Sequence, residues 1–112
     1  MQNLVLAIDF DGTLAHYDGY KGPGVFGEPI PMMVENVKGW MADGHEVVIF
    51  TSRFDGINDE YWAMRRWLDK QFNSGFHITN IKEKRFTHFF DDRAYNVRNG
   101  IITPMPSNLP IL

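Results

Sequence analysis

A chain of 112 residues, 44% hydrophobic, 22% charged and without cysteine, has the size of one domain and an ordinary globular composition. The lack of cysteine excludes disulfides and thiolate metal sites and fits a reducing cytoplasm. A formal charge of −3 argues against broad nucleic-acid binding. The first apolar run, cut off at Asp9, is too short for a signal peptide or a membrane span, so a soluble chain without a membrane partner is expected.

Leu4 to Ile8 is a short, wholly apolar run, the pattern of a strand buried on both faces (about residues 3–8). Residues 14–30 are rich in Gly, Pro and Tyr and predict a loop or small hairpin long enough to act as a flap. Pro31 suits the first position of a helix and Gly44 its stop, with Val34, Val37 and Met41 at helical spacing between them. Glu46 to Phe50 is a second buried strand. Asn58 is an N-cap signal, followed by Asp59 and Glu60 where the helix dipole favours acids. Tyr61, Met64, Trp67, Leu68 and Phe72 form an apolar stripe, and Gly75 is the expected stop.

Phe76 to Thr79 predicts a short third strand and Thr87 to Phe90 a fourth. Residues 93–99 suggest a short helix or turn. Ile101 to Thr103 predicts a fifth strand before a Pro-rich tail, 104–112. Strand and helix alternate without repeat or linker, which predicts a single α/β domain over 1–112. Its expected form is a doubly wound, mainly parallel sheet built around the first strand, in the order 5-4-1-2-3.

Three strands end in polar groups: Asp9 and Asp11, Thr51 and Ser52, and Asp91 and Asp92. Open α/β sheets place ligands at the carboxyl ends of their strands. Neighbouring carboxylates repel unless a cation or proton makes use of them. Hard oxygen ligands beside open positions suit Mg²⁺, which keeps waters and bridges to phosphate. A carboxylate can attack phosphorus, a second can carry the proton, and hydroxyl or ammonium donors can stabilise the transferring group.

The segment Asp9-Phe10-Asp11-Gly12-Thr13-Leu14 resembles the first signature, DxDGT, of the haloacid dehalogenase superfamily. Thr51 after an apolar strand is similar to its second motif, a lysine to its third, and Asp91-Asp92 to its fourth, in the right order over nearly the whole chain. The resemblance implies a three-layer Rossmann-like fold and a Mg²⁺-dependent phosphomonoester hydrolase working through an aspartyl-phosphate. Asp9 would be the nucleophile. Asp11 would be the general acid/base, lend a backbone carbonyl to the metal, and mark a phosphatase rather than a dehalogenase. Thr51, with Ser52 and Gly12, would hold the phosphoryl oxygens. Lys82 or Lys84 would bridge Asp9 and the phosphate, with Lys82 preferred and Arg85 the outside choice. Asp92 would bind Mg²⁺ directly, and Asp91 would support it from the outer sphere.

The intervals that house cap domains in this superfamily are too short here, so a capless member is expected, its site open unless the 14–30 loop or a second subunit of a homo-oligomer covers it. Arg53, Arg93 and His16 are candidate substrate contacts, and each has a plainer reading as an ion-pair or loop residue. The substrate would be a phosphorylated compound, with a nucleotide or polynucleotide end suggested by analogy alone. Two rivals stand beside the hydrolase: a receiver-like phospho-acceptor switch, and a catalytically idle metal-binding partner domain.

Overall fold

The computed structural model describes residues 3–103. Four parallel strands, β1 (Val5–Ile8), β2 (Glu46–Phe50), β3 (His77–Thr79) and β4 (His88–Phe90), make one sheet in the order β3-β2-β1-β4. Helix α1 (Pro31–Ala42) joins β1 to β2, and α2 (Asp59–Phe72) joins β2 to β3. β1 is central, pairing Ala7 with Val48 of β2 and with Phe89 of β4.

Local signals act as the chemistry dictates. Pro31 opens α1, and Gly44 follows its end at φ 87°. The Asn58 side chain accepts a hydrogen bond from the Tyr61 amide at 2.9 Å and caps α2. That helix ends at Phe72 rather than near Gly75, because Asn73 takes the left-handed conformation at φ 51°. Asparagine tolerates that region, and its amide caps the Asp69 carbonyl.

Leu6 and Ile8, Val47 and Ile49, and Ile78 face both helices, packing with Val37, Met64 and Leu68 into the main core. Alternate residues Ala7 and Val48 face the other way, where Phe86 and the partly buried Val5 and Phe50 cover them. No helix lies on that side among the described residues. The expected three-layer, doubly wound architecture is therefore corrected to one helical layer on a four-stranded sheet. Both helical crossovers run in the same direction along the sheet, and right-handed crossovers of one direction put their helices on one face. The return from β3 to β4, residues 80–87, is too short for a helical crossover and straps the second face instead.

The order 4-1-2-3 holds, but the fifth strand is not in the sheet. Residues 93–99, expected as a short helix or turn, supply β5 (Asn96–Arg98). This strand pairs antiparallel with β6 (Ile101–Thr103) as a separate hairpin. Its turn is Asn99-Gly100, both at positive φ, the signature of a two-residue hairpin loop. The tail 104–112 lies outside the described residues. No helix among the described residues is long and apolar enough to cross a membrane.

The 14–30 segment is a loop closed at its base: Ile30 donates to the Leu14 carbonyl at 2.7 Å and His16 to that of Glu28 at 2.8 Å. It is pinned to the helical layer, where the Trp67 indole N–H donates to the Gly27 carbonyl at 3.1 Å and Phe26 packs edge-on against Phe10.

Candidate active site

β1 and β4 flank the point where the chain reverses its direction of travel across the sheet, and the crevice beyond their carboxyl ends is where such sheets bind ligands. A cleft of about 640 Å³ opens there, lined by residues from all four strand ends, among them Asp9, Asp11, Thr51, Asn80, Asp91 and Asp92. Between the first two acids, Phe10 is fully buried and packs edge-on against Trp67 with ring centroids 4.7 Å apart. Anchoring Phe10 in the core holds the carboxylates on either side of it at the rim.

Asp9, Asp91 and Asp92 each bring a carboxylate oxygen to within 4.8 Å of the others. The Asp9 amide donates to the Phe90 carbonyl at 2.9 Å, tying the end of β1 to the last residue of β4. Thr13 accepts from the Asp92 amide at 3.2 Å, and Asp91 accepts from the Arg93 amide at 2.8 Å. Gly12, at φ 82°, lies so close to Asp92 that a Cβ there would collide with its carboxylate. Burial, then the charge of Asp91, push the Asp9 carboxyl up to about 7, with Asp92 adding to the effect and a backbone hydrogen bond from Phe10 opposing it. Three carboxyls crowded together at the end of the sheet form a donor set that fits a hard divalent cation.

Thr51 is buried, only 3% exposed, and its hydroxyl oxygen accepts from the Arg53 amide at 3.1 Å, leaving its proton free to donate. Ser52 is exposed beside it on the cleft wall. Arg53 does not line the cleft. Its Nε donates to Asp11 Oδ2 at 2.6 Å and its Nη1 to Glu60 Oε2 at 3.2 Å. Burial opposes the charge of that guanidinium, but Asp11 and Glu60 outweigh it and hold Arg53 above its ordinary value.

The expected lysine is not in the cleft. Lys82 lies on the strap face with its ammonium 5.0 Å from the Phe89 ring centre, lining a separate recess of about 150 Å³ that shares Phe50 and Asp91 with the cleft. Lys84 is exposed and does not line the cleft, while Arg85 pairs with Glu46 at 2.6 Å and Glu83 at 2.7 Å. Arg93 lines the cleft, whereas His16 is held in the base of the 14–30 loop and does not. Asn80 lines the cleft without having been placed in the site by the sequence, and Tyr17, whose place just after the first motif allows a leaving-group contact or a plain loop role, lines it too. Asn80 follows β3 directly and had a legible signal, a polar residue at a strand's carboxyl end. Tyr17 had only its nearness to the DxDGT segment.

No family model matches the chain, and no curated protein matches it. Among solved structures, the fold is similar to that of a conserved protein from Bacteroides thetaiotaomicron, with a TM-score of 0.56 and 24% identity over 83% of this chain and 78% of that one. The likeness is one of fold. Fold and site together define a small α/β protein with a parallel sheet and a carboxylate cluster at its switch point.

Proposed function

We propose that the chain is a capless phosphomonoester hydrolase of the haloacid dehalogenase type, using Mg²⁺ and an aspartyl-phosphate on Asp9. The observation that carries this reading is the meeting of Asp9, Asp91 and Asp92 within 4.8 Å in the cleft that also holds Asp11 and the buried Thr51. The order of the four sequence motifs supports it, apart from the lysine.

Asp9, Asp91 and Asp92 would hold the cation, together with the backbone carbonyl of Asp11. Bound there, Mg²⁺ supplies charge neutralisation between the carboxylates and an incoming phosphate. An Asp9 oxygen attacks phosphorus as the bond to the leaving oxygen breaks, and Asp11 gives that oxygen a proton. Asp11 then takes a proton from water, whose oxygen bonds to phosphorus as the Asp9–phosphorus bond breaks. Thr51 donates its free hydroxyl proton to a phosphoryl oxygen, and the Ser52 side of the cleft offers further donors. Arg93 is the cation on the cleft wall closest in sequence to the acid pair, and takes part of the anchoring expected of a lysine.

The test is turnover of p-nitrophenyl phosphate with Mg²⁺ by wild type and by Asp9→Asn. The expected result is turnover that needs the cation and is lost in the variant. Equal rates in both proteins overturn the mechanism. A phospho-Asp9 that forms and then persists without turnover assigns the chain to the phospho-acceptor class instead.

A further inference from the structure

The surroundings of Asp11 are more elaborate than a surface ion pair requires. Arg53 reaches it from the next strand's end with a side chain only 7% exposed, and the Asp11 side chain is 18% exposed. The guanidinium is held from three further directions. Glu60, in the first turn of α2, accepts from it. The ring centres of Phe26 and Tyr20 lie 4.8 and 5.1 Å from its central carbon. Glu60 also accepts from the Gly24 amide at 2.9 Å, so one carboxylate oxygen ties Arg53 and the 14–30 loop together.

Arg53 binds one oxygen of Asp11 only. The other, Oδ1, is buried and has no hydrogen-bond partner among the described residues. A buried polar atom left unpaired costs stability, and such atoms collect where function requires them. The single Nε–Oδ2 bond comes from a guanidinium held on three other sides, so it restricts the rotation of the carboxylate it meets. Fixing one oxygen determines where the other lies. A carboxyl that must meet a leaving oxygen and then a water, both within hydrogen-bond reach, gains rate from being fixed.

We propose that Arg53 is a positioning residue for Asp11, and that the 14–30 loop is the brace that holds Arg53 in place rather than a lid that opens and closes. This inference rests on the phosphatase reading above. Arg53 holds Asp11 through Oδ2, and so sets how the carboxyl group is presented to the cleft. The loop acts through Tyr20, Phe26 and the Gly24–Glu60 contact, so its effect reaches the chemistry without touching the substrate.

Leaving-group dependence tests this, because proton donation matters to an alkoxide and little to p-nitrophenolate. Glycerol 2-phosphate and p-nitrophenyl phosphate are compared in wild type, Arg53→Met and Asp11→Asn, with folding checked by thermal melts. Arg53→Met is expected to lower kcat for the alkyl ester about a hundredfold more than for the aryl ester, with KM nearly unchanged. Arg53→Lys is expected to recover part of the loss, and Arg53→Met added to Asp11→Asn to cost nothing further. If Arg53→Met does not fold, Glu60→Gln carries the same split at smaller size. An equal loss for both esters, a change in KM alone, or additive losses in the double variant overturn the proposal. If wild type and Asp9→Asn turn over neither ester, the reading of the site fails first, and the role of Arg53 falls with it.

Discussion

The two faces of the sheet are built to different standards. On one, α1, α2 and the pinned 14–30 loop bury Leu6, Ile8, Phe10, Val47 and Ile49 completely or nearly so. On the other, the 80–87 strap covers Ala7 and Val48 with Phe86, and leaves Phe89 41% exposed in an aromatic trio with Phe50 and Phe86. The cleft inherits the contrast. Asp11 and Thr51 belong to a wall backed by the helical layer, while Asn80, Asp91 and Arg93 stand on loops with exposed side chains. The lesson is a division of labour. On the proposed reading, the proton-carrying and phosphate-holding groups Asp11 and Thr51 sit on the deeply packed side, and Asp91 and Arg93 on the thinly covered one.

Truncation of one aromatic on each face tests that contrast most strongly. Phe10→Ala removes a fully buried ring held by Phe26 and Trp67, and is expected to cost about 3–5 kcal/mol in urea unfolding. Phe89→Ala is expected to cost about 1 kcal/mol, since much of its area already meets solvent. Similar losses at both positions would erase the distinction.

Gly12→Ala probes the place where the two walls meet. An alanine at φ 82° is strained by about 1–2 kcal/mol, and its methyl would displace the Asp92 carboxylate. Weaker Mg²⁺ binding by calorimetry is the expected outcome, beyond the loss of stability. Unchanged affinity would remove Asp92 from the cation site.

Asp9 gives stability a pH dependence with a defined sign. Folded Asp9 keeps its proton to about 7, whereas the unfolded chain releases it near the ordinary 3.8, so between those values the folded state binds more protons. Stability then falls as pH rises through that window, and the slope disappears below and above it. Urea midpoints of wild type minus those of Asp9→Asn, measured in EDTA, isolate the contribution. Saturating Mg²⁺ is expected to flatten it by holding the carboxylate ionised.

Much of this was legible in the residues. The apolar runs at Leu4 to Ile8 and Glu46 to Phe50, the Pro31 and Asn58 starts, and the acids after β1 and β4 each carry a local physical signal, and each lies where that signal puts it. Asn99-Gly100 carried an equally local hairpin signal, and reading the flanking residues as a helix and a lone strand passed over it. Three features were not local. The side of the sheet a crossover takes depends on strand order, so the missing third layer could not be read from alternation alone. The phase of Lys82 was open because residues 80–87 form no element of fixed periodicity, and the Arg53 fork depends on an approach across 42 positions of sequence to Asp11.

The most direct measurement is the site of covalent phosphorylation. The protein is mixed with p-nitrophenyl phosphate and Mg²⁺, quenched in acid, reduced with borohydride and sequenced by mass spectrometry. Conversion of Asp9 to homoserine, and of no other carboxylate, is the predicted result. Absence of any reduced aspartate while turnover proceeds, or its appearance at Asp11, Asp91 or Asp92, would contradict Asp9 as the nucleophile.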